Sequence, residues 1–200
     1  QYLPGGHWPE GWSYGASAYE FHALAASALR HASGSADVAR SHWLRENISL
    51  KLHALTPDGR SFYDDGAWTG SHIGDPRLAD IYVAGSLAGW NSNAGRLAAA
   101  YVRLARNWSV DGATADQGTL VGEWRRLLFF DARAPTADLK TETPSYFARG
   151  AGLALWRSAW NEANATWGTF IAGPYLAWQD SQDLDQGHME IYKNAPLLVD

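Results

Sequence analysis

Two stretches of this 200-residue chain gather side chains that could do chemistry. The first, GGHWPEGWSYG at residues 5–15, sets His7, Glu10 and Tyr14 among the indoles of Trp8 and Trp12. The second, DSQDLDQGHMEIY at residues 180–192, has Asp180, Asp183 and Asp185 ahead of His188. Imidazole, carboxyl and phenol groups can all move a proton in a transition state. A plainer reading is open at each position: His7 as a loop residue, Tyr14 as a helix-capping ring on Trp12, the aspartates as a solvated turn, His188 as a half-buried structural histidine. Glu10 and Asp65 would make the paired carboxylates of a glycoside hydrolase if the fold set them at the right separation. Arg77 and Arg157 carry the planar fork that grips a carboxylate through two hydrogen bonds, although Arg157 suits an internal ion pair equally well.

The chain holds 11 Trp and 9 Tyr, several beside Gly, Pro or Asn rather than inside apolar runs. A flat apolar face with a polar handle suits stacking on sugar rings, and Trp8, Trp12, Tyr63 and Trp68 are the rings placed for it. Core filling accounts for many of the others. A formal charge of −5 leaves no basic footprint, which argues against nucleic acid or an anionic membrane as partner. No run approaches the ~20 apolar residues of a membrane span. With no cysteine there is no disulfide framework and no thiolate metal site.

These groups need a scaffold, and the pattern predicts one that changes character along the chain. Residues 1–15 read as too rich in Gly and Trp for a regular helix. Residues 18–30 are strong helix formers, with Phe21, Leu24, Ala25, Ala28 and Leu29 at helical spacing. Further helices are expected near 37–53, from Pro76 to about 87, over 94–107 and over 119–130, with a Gly- and aromatic-rich loop at 60–75. Residues 135–145 read as a polar linker. Strands are expected at 152–158, 167–172, 188–192 and from 196 onward. The expected organisation is α+β and multidomain: helical hairpins over 1–134, linker 135–145, and the first strands of an antiparallel sandwich over 146–200. The chain starts at Gln1 and stops in an apolar run, and reads as a segment of a longer polypeptide.

The two stretches, with YFARGAGLALWRSAW at residues 146–160 between them, resemble the heparinase II/III-like polysaccharide lyases. The resemblance covers most of the chain in order. It implies an α/α toroid followed by an antiparallel β-sandwich, both incomplete here, in a periplasmic or secreted bacterial protein. It also implies β-elimination on a uronic-acid polysaccharide, with no nucleic acid or membrane span involved. In that family the tyrosine of the Glu-Gly-aromatic segment serves as acid or base, which maps onto Tyr14. A phenol with a pKa near 10 fills this role only where donors or cations steady its phenolate. Glu10 and His7 would accompany it.

The family's paired histidines fall on Ser181 and Asp183, so that histidine role does not carry over, while Asp185 and Gly187 are retained. Asp183 and Asp200 map near positions that ligate a structural divalent ion, zinc or calcium, with a third ligand expected beyond residue 200. The family's carboxylate-neutralising histidine or asparagine would lie upstream of residue 1. The departures leave a second reading open, a carbohydrate-binding homologue without catalysis. The expected site lies where the Tyr14 loop faces the 183–200 region across the seam between helices and sheet.

Overall fold

The computed structural model describes residues 4–34, 42–59, 78–109, 118–174 and 186–198, with backbone alone at residues 12, 13, 106–109 and 118–123. Within them the chain is α+β: five α-helices, then a five-stranded antiparallel sheet.

Helix α1 (Gly11–Ser33) starts inside the stretch whose glycines argued against a helix. Gly11 takes φ +79°, which swings the chain from the preceding turn into the first helical residue. Gly15 is there for closeness: a Cβ on it would stand 2.9 Å from Trp8 Cβ. The helix ends on Gly34 at φ +69°, whose amide donates to the Arg30 carbonyl. Its buried stripe is Ala16, Tyr19, Ala23 and Ala26; of the larger residues expected to face inward, Leu24 alone packs, partly buried, against the helical core. Phe21 and Leu29 are 67% and 57% exposed. Small residues let α1 approach α3 closely, and those contacts decide which face turns in.

Helix α3 (Ala79–Ala88) is the hub, packed against α1, α4 (Asn93–Ser109), α5 (Gly118–Phe129) and α2 (His42–Ala54). Its buried residues include Asp80, whose carboxylate meets Lys51 of α2 at 2.5 Å, both side chains almost fully enclosed. Glu20 of α1 and Arg125 of α5 form a second, largely buried pair. Helix α2 serves two cores. Leu44, Ile48 and Leu52 join the helical core with Ile81, Val83 and Tyr101, whereas Leu50 and Ala54 join the sheet core with Leu153, Leu155 and Trp167.

The sheet is a meander of β1 (Ser145–Ala148), β2 (Leu153–Arg157), β3 (Trp167–Ile171), β4 (Met189–Tyr192) and β5 (Pro196–Leu198). Strand β1 is additional to the expected four. It forms a hairpin with β2 in which Tyr146 pairs with Leu155 and Ala148 with Leu153. Alternation puts Tyr146, Ala148, Leu153, Leu155, Arg157, Trp167, Thr169 and Glu190 on the face toward α2. The other face carries Phe147, Phe170 and Met189 in one cross-strand row. The segment expected as a linker holds a 3-10 turn at Leu139–Thr141, and Leu139 is buried in the helical core.

Candidate functional site

A strap of residues 4–10 carries the first chemical stretch onto the sheet. Gly5, at φ +98°, lies so near β1 that a Cβ would sit 2.5 Å from Ala148 Cα. The Gly5 amide donates to Glu46 Oε2 at 3.0 Å, and the Gly150 amide donates to the Pro4 carbonyl at 2.7 Å. The Tyr146 hydroxyl reaches the carbonyls of Gly5 (3.0 Å) and Glu46 (3.2 Å), donating to one or the other. The Tyr19 hydroxyl donates to the Gly6 carbonyl at 2.5 Å. Two of the three resembling segments, far apart in sequence, are therefore in direct contact.

On this strap the Trp8 indole N–H donates to Glu10 Oε2 at 2.8 Å, fixing the carboxylate beside the ring. Trp8 lies over α1, edge-on to Tyr19 (6.1 Å) and near His22 (6.2 Å), and Tyr19 stacks on Trp43 at 5.6 Å. Tyr14 follows one turn into α1, 45% exposed. His7 is buried and, with Trp8, Tyr19, Asn47 and Lys51, lines a void of about 10 Å³. That is the lower limit for one water, so substrate does not reach His7 in this arrangement. The Trp12 side chain and all of Tyr63, Asp65, Trp68, Arg77, Ser181, Asp183 and Asp200 lie outside the described residues, as do Asp180 and Asp185. Among the described residues no three His, Asp or Glu side chains gather as a metal site, and no helix is long and apolar enough to cross a membrane.

Arg157 is spent inside the protein. Its side chain points from β2 to the end of α2, where Nη2 donates to the carbonyls of Leu55 (2.6 Å), His53 (3.1 Å) and, more weakly, Leu52 (3.4 Å). The guanidinium also lies 3.9 Å from the Trp160 ring centroid. Burial pushes its pKa down to about 9, which leaves it charged at neutral pH. Next to it, His53 is stacked on Tyr146 (5.2 Å) and meets Trp160 edge-on (5.1 Å). Both its ring nitrogens face carbonyl oxygens, Ser49 at 2.8 Å and Thr143 at 3.1 Å. Burial holds its pKa below the ordinary value; the two carbonyls pull upward, and the Arg157 charge adds to the lowering. His188, just before β4, has Nε2 3.3 Å from Glu190 Oε1, both largely buried.

An open cleft of about 440 Å³ lies where the strap, α2, α4 and β1 meet. Arg45, Glu46, Asn93, Tyr146, Phe147 and Arg149 are among its lining residues; Tyr14 is not. Of these, Tyr146, Phe147 and Arg149 fall in a segment the resemblance uses, but nothing in the spacing marks them for binding. Arg45 sits on a helix with no local signal at all. No protein-family model matches this chain, and no curated protein matches it in sequence.

Proposed function

We propose that this chain is part of a polysaccharide lyase of the heparinase II/III-like kind, with its helical half an α/α toroid portion and its sheet half the opening of a β-sandwich. The observation that carries the reading is the docking of the strap that leads into the Glu10–Tyr14 stretch, through Pro4 and Gly5, onto the 146–150 hairpin at the seam of helices and sheet. Contact between the segments on which the resemblance rests supports a site at that seam.

The reaction is β-elimination on a uronic-acid glycan. A base takes the proton α to the carboxylate, the electron pair forms a carbon–carbon double bond, and the C4–oxygen bond breaks. The leaving oxygen takes a proton from an acid. Tyr14, half exposed, is assigned the proton transfer at its hydroxyl. Glu10 is assigned to holding Trp8 in place, and Trp8 to packing on a sugar face. A zinc or calcium ion held by Asp183 and Asp200 would brace the sheet side, and no step runs through it.

The test is the ultraviolet absorbance of an unsaturated uronate product, measured on a panel of uronic polysaccharides with the longest natural form of the protein. Tyr14→Phe should lower the rate by about 10²-fold or more with unchanged circular dichroism. Activity on neutral glycans alone would reject the lyase reading. Ser181 and Asp183, where the family has histidines, favour a second reading, a binding homologue without catalysis. Glycan binding with no elimination, even after histidines are restored at both positions, would select it.

A further inference from the structure

We propose that Asn164, at the tip of the loop joining β2 to β3, is an acceptor site for an N-linked glycan, added outside the cytoplasm by an oligosaccharyltransferase that also reads the Glu162 carboxylate. The chain holds three Asn-X-Ser/Thr triplets, beginning at Asn47, Asn107 and Asn164. Two independent observations select the last. Asn47 is 2% exposed, with its Nδ2 turned to the Gly6 carbonyl under the strap at 3.5 Å, so a sugar there has no room. The Asn107 side chain lies outside the described residues. Asn164 is exposed, and its amide makes no polar contact among the described residues. The residue two places before each asparagine is Arg45, Ala105 or Glu162, so the exposed triplet is the one with an acid there. A carboxylate in that place gives a cationic side chain of the transferase a charge-assisted handle.

At the neck of the loop the Ser158 amide donates to the Thr166 carbonyl at 2.8 Å, and the Thr166 amide to Ser158 Oγ at 2.9 Å. Above it the Ala165 amide donates to the Glu162 carbonyl at 3.0 Å, a turn with Ala163 and Asn164 at its centre. Glu162, Ala163 and Asn164 are held at the surface, and no proline stiffens the triplet. Ala165 is buried, so a transferase needs the neck open, and a chain crossing a membrane unfolded offers the triplet before the hairpin closes. The Asn164 Nδ2 attacks C1 of the first sugar of a lipid-diphosphate-linked oligosaccharide. The N–C1 bond forms, the C1–O bond breaks with its electron pair on the diphosphate, and the surplus amide proton passes to a base of the transferase. In the folded protein the glycan leaves from the end of β2 farther from the strap, which meets the Gly150 turn at least one strand length, about 13 Å, away. The export that this modification requires belongs to the lyase reading; the acceptor itself rests on the loop.

In the experiment the full chain is exported to the periplasm of a bacterium that makes both the lipid-linked oligosaccharide and its transferase, then digested and read by peptide mass spectrometry. One oligosaccharide increment is expected on the peptide bearing Asn164, and none on those bearing Asn47 or Asn107. Asn164→Gln and Thr166→Val should each abolish it, and Glu162→Gln should lower occupancy about tenfold. Circular dichroism checks that these loop substitutions leave the fold intact. A bare Asn164 peptide, sugar on Asn47 or Asn107 instead, or full occupancy in Glu162→Gln overturns the proposal. Unsaturated uronate released by a chain that stays bare keeps the lyase reading and removes this site. A glycosylated chain that never releases it does the reverse.

Discussion

Replacing Arg157 by leucine should cost about 3 kcal/mol of folding stability. The short contact to the Leu55 carbonyl at 2.6 Å is the largest part, since a hydrogen bond to a charged donor contributes about 1.5–3 kcal/mol and a stranded buried acceptor costs about as much. The His53 carbonyl is less exposed to the loss, because the Trp167 indole N–H also donates to it at 2.8 Å. The Leu52 contact, at 3.4 Å, contributes little. The guanidinium over Trp160 adds about 1–2 kcal/mol where it is desolvated. Against these stands the relief of taking a cation out of a site that leaves it 7% exposed, together with the apolar area leucine buries. For a chain of this size the melting temperature should fall by about 6–12 °C. Urea unfolding followed by far-ultraviolet circular dichroism and tryptophan fluorescence measures the change, with Arg149→Leu as a surface control expected within about 0.5 kcal/mol. A loss below about 1 kcal/mol for Arg157→Leu would refute the view that this side chain caps α2.

Three further outcomes follow from the packing. His53 has a lowered pKa in the fold, so the unfolded chain binds its proton more readily; stability is full above about 6.5 and is lost as pH falls toward the folded value. Urea midpoints across about pH 5 to 8 should show this slope, and His53→Gln should reduce it. Asp80→Asn leaves Lys51 charged and enclosed, and should cost about 3–5 kcal/mol, whereas Lys51→Met with Asp80→Leu should recover most of that in the same titration. Gly5→Ala drives a Cβ into the β1 backbone at a φ disfavoured for alanine, and should cost about 1–3 kcal/mol. Hydrogen exchange should then show the amides of Gly5 and Gly150 losing protection first.

The order of helices and then strands was legible because apolar spacing changes from period 3.6 to period 2 near residue 145. The inward face of α1 was not. Periodicity favours Phe21 and Leu29, but alanines at 16, 23 and 26 permit the closer approach to α3, and closeness won. Glycines at 11 and 15 were misread as breakers because what needed room there, a turn and Trp8, is visible only in three dimensions. Arg157 suited a ligand-binding fork or an internal ion pair; its role is internal, but its partners are backbone carbonyls at a helix end, which no side-chain pattern announces. Arg45 and Arg149 went unnoticed for the complementary reason. Their cleft is made by four separate elements, and neither residue has a telling neighbour in sequence.

Helix α2 is shared between two interiors. Leu44 and Ile48 are buried on one flank and Leu50 and Ala54 on the other, which leaves only the edge bearing His42 and Arg45 to solvent. Severing the chain within 135–144 would therefore not release two transplantable modules. The N-terminal piece would keep the helix with its Leu50 and Ala54 flank bare, and the sheet piece would expose Leu153, Leu155 and Trp167 to solvent. Heating should accordingly melt helices and strands in one step, and recombination with a foreign sheet would succeed only if α2 travelled with it.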